Sequence, residues 1–189
     1  GGVRKQTWHF PSRTECTLCH TMAARYVLGV STEQMNRSFD YGKDIGRKNQ
    51  IEHLNEIGVF DKAIPEAADK LRRLSDYHDS TESLASRARS YLHANCSHCH
   101  RKWGGGNADF QLLSTLPVGE TGTLDVRPGQ GTFELQNDPR LLVPGDPDRS
   151  LIHHRMKLLG LGRMPHIGSS VRDDESVELI RTWIKQLKP

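Results

Sequence analysis

The chain has 189 residues, of which 35% are hydrophobic and 26% are charged, and its formal net charge is +3. With a mean hydropathy of −0.63, this composition is poor in the apolar side chains that two protein-only cores would need. The basic residues are scattered, which argues against a nucleic-acid-binding protein, and no apolar run approaches the length of a membrane span. The length allows one large domain or two small ones.

Short helices are predicted in the first half of the chain. Ile51, Leu54 and Ile57 recur at helical spacing, and Gly58 ends that pattern. The polar residues 61–80 are expected to bridge the two halves of the chain. Helices are predicted over residues 22–28, 48–57 and 67–74. A further helix is predicted between the first two of these: Ser31 or Thr32 would cap it, it would carry Met35 and Phe39, and Gly42 would end it.

The second half predicts two longer helices. The first begins near Asp79 or Ser80 and runs directly into Cys96. The second begins at Asp173 or Asp174 and should pack on the first, because it carries an apolar stripe at helical spacing. That stripe is Val177, Ile180, Ile184 and Leu187, beside Trp183.

The residues between these helices have little helical periodicity. Gly104, Gly105 and Gly106 predict a flexible stretch, and residues 112–143 are rich in Gly, Pro and Thr. We expect a long irregular or partly β insertion there. Ser150 can cap a short helix beyond it.

Two copies of a Cys-x-x-Cys-His pattern contain all four cysteines of the chain. This pattern is the attachment signature of a c-type haem. Two thiols can add across the vinyl groups of one porphyrin, and the following histidine reaches the iron from the same side. The copies are Cys16-Thr17-Leu18-Cys19-His20 and Cys96-Ser97-His98-Cys99-His100. They predict two covalently bound haem c groups, whose apolar macrocycles would replace missing core side chains.

Cys-x-x-Cys pairs also occur in zinc ribbons and redox disulfides. Three features favour haem: no cysteine remains outside the pairs, a histidine follows each pair, and the separation greatly exceeds the roughly 15 to 20 residues of a zinc ribbon. Two similarly placed motifs favour two domains, an N-terminal haem domain over 1–78 and a C-terminal one over 79–189.

The second iron would have His100 as its proximal ligand, and the predicted distal ligand is Met164. Met164 lies in a loop just before the last helix, where Pro165 stiffens the backbone. Met can also fill a gap in a core. The alternative ligands are His166, His153 and His154.

The distal ligand of the first iron, whose proximal ligand would be His20, is less defined. Met22 is too close to His20 in sequence to cross to the other face. Met35 is the first candidate and His53 the second. His9, His78 and an open site are the remaining alternatives.

These residues resemble a family of bacterial periplasmic diheme c-type cytochromes across almost the whole chain, and the second half is similar to a class I cytochrome c domain. In that family, leucine is common at the position of Met35, so the ligand could come from another element. The segments that carry the resemblance are 8–20, 27–29, 34–37, 49–51, 58–60, 87–96 and, in the second half, 96–100, 163–165 and 183–184.

The resemblance implies a mainly α fold with two cytochrome c-like haem domains in tandem. It also implies electron carriage, with a periplasmic dehydrogenase or a terminal reductase or oxidase as partner. Because bacteria attach haem covalently outside the cytoplasmic membrane, we expect a periplasmic location and an export signal upstream of the residues given.

An electron carrier without substrate chemistry is the leading hypothesis. The alternative is a diheme peroxidase, or a sensor that binds a small ligand at an open first haem. A structural protein with metal-bound cysteine pairs is the third.

Overall fold

The computed structural model describes residues 2–188, in which helix, at 29%, outweighs strand, at 5%. Among these residues, no helix is both long and apolar enough to cross a membrane. The helices are α1 (Arg13–Thr17), α2 (Thr32–Met35), α3 (Gln50–Glu56), α4 (Leu84–Cys96), α5 (Leu151–Lys157) and α6 (Asp174–Gln186). The strands are β1 (Ser38–Asp40) and β2 (Arg47–Asn49), and single 3₁₀ turns occur at Ala68–Lys70 and Val118–Glu120.

The main hydrophobic core lies in the C-terminal region, which we define as residues 79–188. Helix α6 packs on both α4 and α5, which confirms the predicted pairing of the last helix with the helix that enters Cys96. Ile180 and Ile184 are fully buried and Trp183 is 3% exposed. The buried residues of this core are Ala88, Leu92, Phe110, Leu112, Leu141, Leu142, Leu151, Ile152, Leu179, Ile180, Trp183 and Ile184.

Side-chain caps fix where the two long helices begin. The hydroxyl of Ser83 accepts a hydrogen bond from the Ser86 backbone N–H at 3.1 Å, so α4 begins slightly later than predicted. The carboxylate of Asp173 accepts from the Ser176 N–H at 3.0 Å and begins α6 as predicted. Such a cap satisfies an N–H group that has no partner within the helix.

Ser150 stands at the N-cap position of α5 as predicted, but its side chain makes no capping hydrogen bond. Its hydroxyl is buried, where it accepts from the Val143 N–H at 2.8 Å and donates to the Asp146 carbonyl at 2.7 Å. Ser150 therefore ties the irregular segment to the start of α5. That segment, residues 112–143, contains no long strand, and its β-pairing consists of the isolated bridges Leu124–Leu142 and Arg140–Ser150.

The N-terminal region, residues 2–78, is organised around one buried amide. Asn36 is 4% exposed. Its side-chain nitrogen donates to the carbonyls of Ala68 at 2.8 Å and Leu71 at 3.0 Å, and its oxygen accepts from the Asn49 side chain at 2.8 Å. These bonds join the end of α2, the strand pair and the 3₁₀ turn.

The predicted helix through Met35 and Phe39 is wrong beyond Met35. Asn36 leaves the helical conformation at φ −74° and ψ 69°. Phe39 lies instead in β1, which pairs antiparallel with β2 and places Phe39 opposite Lys48. The buried hydrogen bonds of Asn36 override the local helical pattern.

Two other helix predictions are also wrong, while α3 is confirmed in shortened form. Residues 22–26 form turns and residues 27–28 are irregular, because Arg25 and Tyr26 have φ values of 56° and 60° that a right-handed helix does not allow. The predicted piece at 67–74 is reduced to one 3₁₀ turn. Asn49 begins α3 by accepting a hydrogen bond from the Ile51 N–H.

Candidate haem centre

A cavity of about 950 Å³ lies at the C-terminal end of α4. This volume is at the upper end of the roughly 300–1,000 Å³ typical of ligand sites in proteins. Cys96, Cys99 and His100 all line it, and so does Met164 from the loop between α5 and α6. The structure therefore brings together the four residues that the sequence assigned to the second haem.

The second motif is a tight turn that continues α4. The N–H groups of Cys99 and His100 both donate to the Cys96 carbonyl, at 3.2 and 2.9 Å. Ser97 is 1% exposed, and its hydroxyl donates to the His93 carbonyl at 2.7 Å. These bonds fix the backbone that carries both thiols and the imidazole.

The imidazole of His100 is half-buried and has an unsatisfied ring nitrogen. Its ring stacks on Phe110 with centroids 4.3 Å apart and an interplanar angle of 9°. Nδ1 is buried without a hydrogen-bond partner among the described residues. Burial, with a smaller contribution from the Arg155 charge, lowers the pKa of His100 to about 4. The ring is therefore neutral at pH 7, which is the form that binds a metal.

The two thiols at the cavity are also held in their neutral form. Burial raises the pKa of Cys96 to about 12. Burial also raises the pKa of Cys99 to about 12, with a further contribution from the neighbouring Cys19. Both side chains are therefore protonated at neutral pH.

The lining of the cavity suits an apolar ring that carries carboxylates. Arg155 is a half-buried cation in the lining, with its guanidinium carbon 3.8 Å from the centroid of the Phe133 ring and its Nε donating to the Gly162 carbonyl at 2.7 Å. Apolar residues of the core complete the wall, among them Phe110, Leu112, Leu141, Leu151 and Ile152. The donor set, the volume and the cation fit a haem c attached at Cys96 and Cys99.

The loop that carries Met164 is tied to α5. The Met164 N–H donates to the Arg155 carbonyl at 3.1 Å. Among the alternative ligands, His166 lines the cavity. His153 and His154 are engaged elsewhere: His153 Nδ1 lies 3.0 Å from the Pro147 carbonyl oxygen, and His154 Nε2 lies 2.9 Å from that of Phe133.

The first motif lies in a more open environment. Cys16 and His20 are exposed, and His20 Nδ1 lies 2.6 Å from the Tyr26 carbonyl oxygen. Cys16 lies in α1, where Ser12 and Glu15 form a reciprocal cap. Large apolar side chains of this region are exposed to solvent, among them Trp8, Phe10, Met22, Tyr26, Val27 and Val30.

The predicted ligands of the first haem differ in their surroundings. Met35 is half-buried at the end of α2 and is not part of the cavity lining. His53 is 8% exposed, its ring lies 4.3 Å from that of Tyr41, and its buried Nδ1 has no partner within residues 2–188. His9 and His78 are exposed and lie against carboxylates, those of Glu15 at 2.9 Å and Glu175 at 2.7 Å.

One cluster was missed by the sequence reasoning. Cys19, His98 and Cys99 place one ligand atom each within 4.8 Å of one another. Nδ1 of His98 is buried without a partner in the described part of the chain, and burial lowers the pKa of this ring. His98 occupies one of the two x positions of Cys-x-x-Cys-His, where any residue type is allowed. The cluster is therefore recognisable only because the two motifs lie close together in the folded chain.

Comparison of the chain with protein-family profiles, with curated proteins and with solved structures gives no match.

Proposed function

We propose that the chain is a bacterial periplasmic diheme cytochrome c that carries electrons one at a time between redox partners. The observation that carries this proposal is the single cavity lined by Cys96, Cys99, His100 and Met164. Nothing in the sequence pattern alone requires residues so far apart to share a cavity of haem size. The partner would be a periplasmic dehydrogenase or a terminal reductase or oxidase.

The residues that line the C-terminal cavity would have different roles in binding the second haem. A bound haem supplies one electron, reversibly, at its iron. Cys96 and Cys99 would attach it, and His100 and Met164 would be its axial ligands. The thioether of Met164 favours a relatively high reduction potential.

Charge and burial at this site would tune the potential further. The apolar wall excludes water and so favours the reduced iron, which has the lower charge. Arg155 would neutralise a haem carboxylate at the wall, since a guanidinium pairs well with carboxylates. The half-buried position of Arg155 makes such a pair stronger than one at the surface.

In the N-terminal region, Cys16 and Cys19 would attach the first haem and His20 would be its proximal ligand. Met35 and His53 are the proposed distal candidates. The buried ring of His53, with a free nitrogen, supports histidine at this position. A histidine pair would give the first haem a lower potential than the second, and electrons would then pass in a defined direction.

Expression together with haem-attachment machinery, followed by intact mass measurement, tests the proposal. We expect two haems per chain and low-spin electron spin resonance signals from both. In Met164→Ala, the weak red absorption band of iron–thioether ligation should lose the contribution of the second haem, while the signals of the first haem are unchanged. Met22→Ala is the matched control, because Met22 is 78% exposed, and it should keep that band.

A high-spin first haem that reacts with peroxide would contradict the electron-carrier function and support the peroxidase or sensor function. A red band that keeps its full wild-type intensity in Met164→Ala would exclude Met164 as the ligand, whereas a band that loses only part of its intensity would assign the remainder to Met35 at the first haem.

A zinc-binding structural protein is the second candidate, favoured by the cluster of Cys19, His98 and Cys99. A structural zinc site usually has four ligands, and this cluster leaves out Cys16 and Cys96. Metal analysis of the same preparation separates the two candidates: stoichiometric zinc without covalent haem would support the second.

A further inference from the structure

The second thiols of the two motifs meet in space. Cys99 Sγ lies 3.4 Å from Cys19 Sγ, although the two residues are 80 positions apart in the chain. The Cys99 thiol also donates to the Leu18 carbonyl at 3.2 Å. The two motifs therefore contact each other through the cysteines next to their histidines.

Gly105 makes this contact close, while its neighbours Gly104 and Gly106 fold against the second motif itself. A Cβ on Gly105 would overlap the carbonyl oxygen of Leu18, and a Cβ on Gly104 would overlap that of Cys99. A Cβ on Gly106 would lie 3.1 Å from the Cys99 carbonyl oxygen. The stretch predicted to be flexible is therefore a packing surface, where only glycine lets the two backbones approach.

The side chain of Arg101 forms hydrogen bonds next to both motifs. The guanidinium of Arg101 donates to the Ala23 carbonyl at 3.1 Å, just beyond the first motif. It also donates to the Ser97 carbonyl at 2.6 Å and to the Ser97 hydroxyl at 3.1 Å, inside the second motif. Ser97 is 1% exposed. Because the guanidinium is a rigid planar donor, one side chain fixes both motifs relative to each other.

We infer that Cys19 and Cys99 hold the edges of the two haems in contact, so that the pair exchanges electrons directly within the chain. This inference rests on the proposed function. Each sulfur would be bonded to a carbon substituent at the edge of its own porphyrin, and the separation of 3.4 Å between the sulfurs therefore brings the attached edges together. His20 and His100 would hold the two irons between which one electron would move. One iron would be oxidised as the other is reduced, without a proton or a further reactant.

Circular dichroism in the Soret region tests the contact in the holo-protein, once intact mass has shown two attached haems. Two haems in contact give a band with two signs, because their transitions couple, and their electron spin resonance signals differ from the sum of two isolated haems. Gly105→Ala should lose the two-signed band, since the added Cβ displaces Leu18. Gly119→Ala is the matched control, because its Cβ would meet nothing within 4 Å, and it should keep the band.

Arg101→Gln supplies a second variant in case Gly105→Ala does not fold, and it should also weaken the two-signed band. A one-signed Soret band in the wild-type protein with both haems attached would overturn the inference while the proposed function stands. A Cys19–Cys99 disulfide in the holo-protein would overturn it as well. Fewer than two attached haems would instead overturn the proposed function.

Discussion

The two regions of this chain carry the same Cys-x-x-Cys-His motif but support it by different means. The C-terminal region surrounds its motif with a core of apolar side chains and a cavity. The N-terminal region has few buried apolar residues and leaves Cys16 and His20 exposed. An attachment motif thus fixes the chemistry of a site, while the enclosure of the site depends on the elements that fold over it.

The difference also lies in what holds each region together. Apolar burial dominates between α4 and α6, where Ile180 and Ile184 are fully buried. In the N-terminal region, the hydrogen bonds of Asn36 connect three separate segments. We therefore expect removal of an apolar side chain to be most costly in the C-terminal region and removal of a polar one in the N-terminal region.

The largest expected effect comes from two tryptophans that differ in burial. Trp183 is 3% exposed and Trp8 is 58% exposed. Trp183→Ala should lower the free energy of unfolding by about 3–5 kcal/mol, because it removes a large buried ring and leaves a cavity. Urea unfolding of the purified protein measures the change.

Trp8→Ala is the comparison and should change the stability by no more than about 0.5 kcal/mol in the same measurement, because Trp8 is largely exposed. Equal losses in the two variants would show that the two regions do not differ in their cores.

The next effect concerns the buried amide of the N-terminal region. Asn36→Leu has a similar branched shape but leaves the Asn49 side chain and the carbonyls of Ala68 and Leu71 without their partner. We expect a loss of about 1–3 kcal/mol, together with faster hydrogen exchange in β1 and β2. Hydrogen exchange resolved by residue measures both.

Asn95→Leu is the control, because Asn95 is exposed and bonds only to the Tyr91 carbonyl of its own helix. If Asn36→Leu were as stable as this control, the amide would not organise the N-terminal region.

The smallest expected effect is a loss of stability in mild acid that comes from the C-terminal region. Burial lowers the pKa of His153, an effect that its hydrogen bond to the Pro147 carbonyl partly offsets. The unfolded chain binds a proton near the ordinary pKa of about 6.5, whereas the folded chain does so only at lower pH. The free energy of unfolding should therefore be constant above that pH and fall as the pH decreases below it.

Urea unfolding at pH 7.5 and pH 5.5 measures this dependence. His153→Gln keeps a hydrogen-bond donor but cannot take up a proton in this range, so the difference between the two pH values should be smaller in the variant. An unchanged difference would assign the acid sensitivity to other buried histidines, such as His93.

The sequence by itself determined the elements whose signals are local. The Cys-x-x-Cys-His motifs, the apolar stripe of α6 and the capping residue Asp173 could all be identified from neighbouring residues, because covalent spacing and helical periodicity act over a few positions. The entry of α4 into Cys96 and the irregular character of 112–143 were predicted on the same basis. Met164 was selected from its loop and its proline, and the structure places it in the cavity lining.

Tertiary structure alone decided the features that depend on distant partners. Phe39 lies in a strand because Asn36 bonds to residues more than thirty positions away. The Ser150 hydroxyl accepts from the Val143 N–H and donates to the Asp146 carbonyl, so its side chain makes no capping hydrogen bond to the helix that follows it.

The two Cys-x-x-Cys-His motifs are joined through Cys19 and Cys99 by the same kind of long-range packing. No local pattern encodes that contact, because its energy comes from surfaces that meet only after the chain has folded.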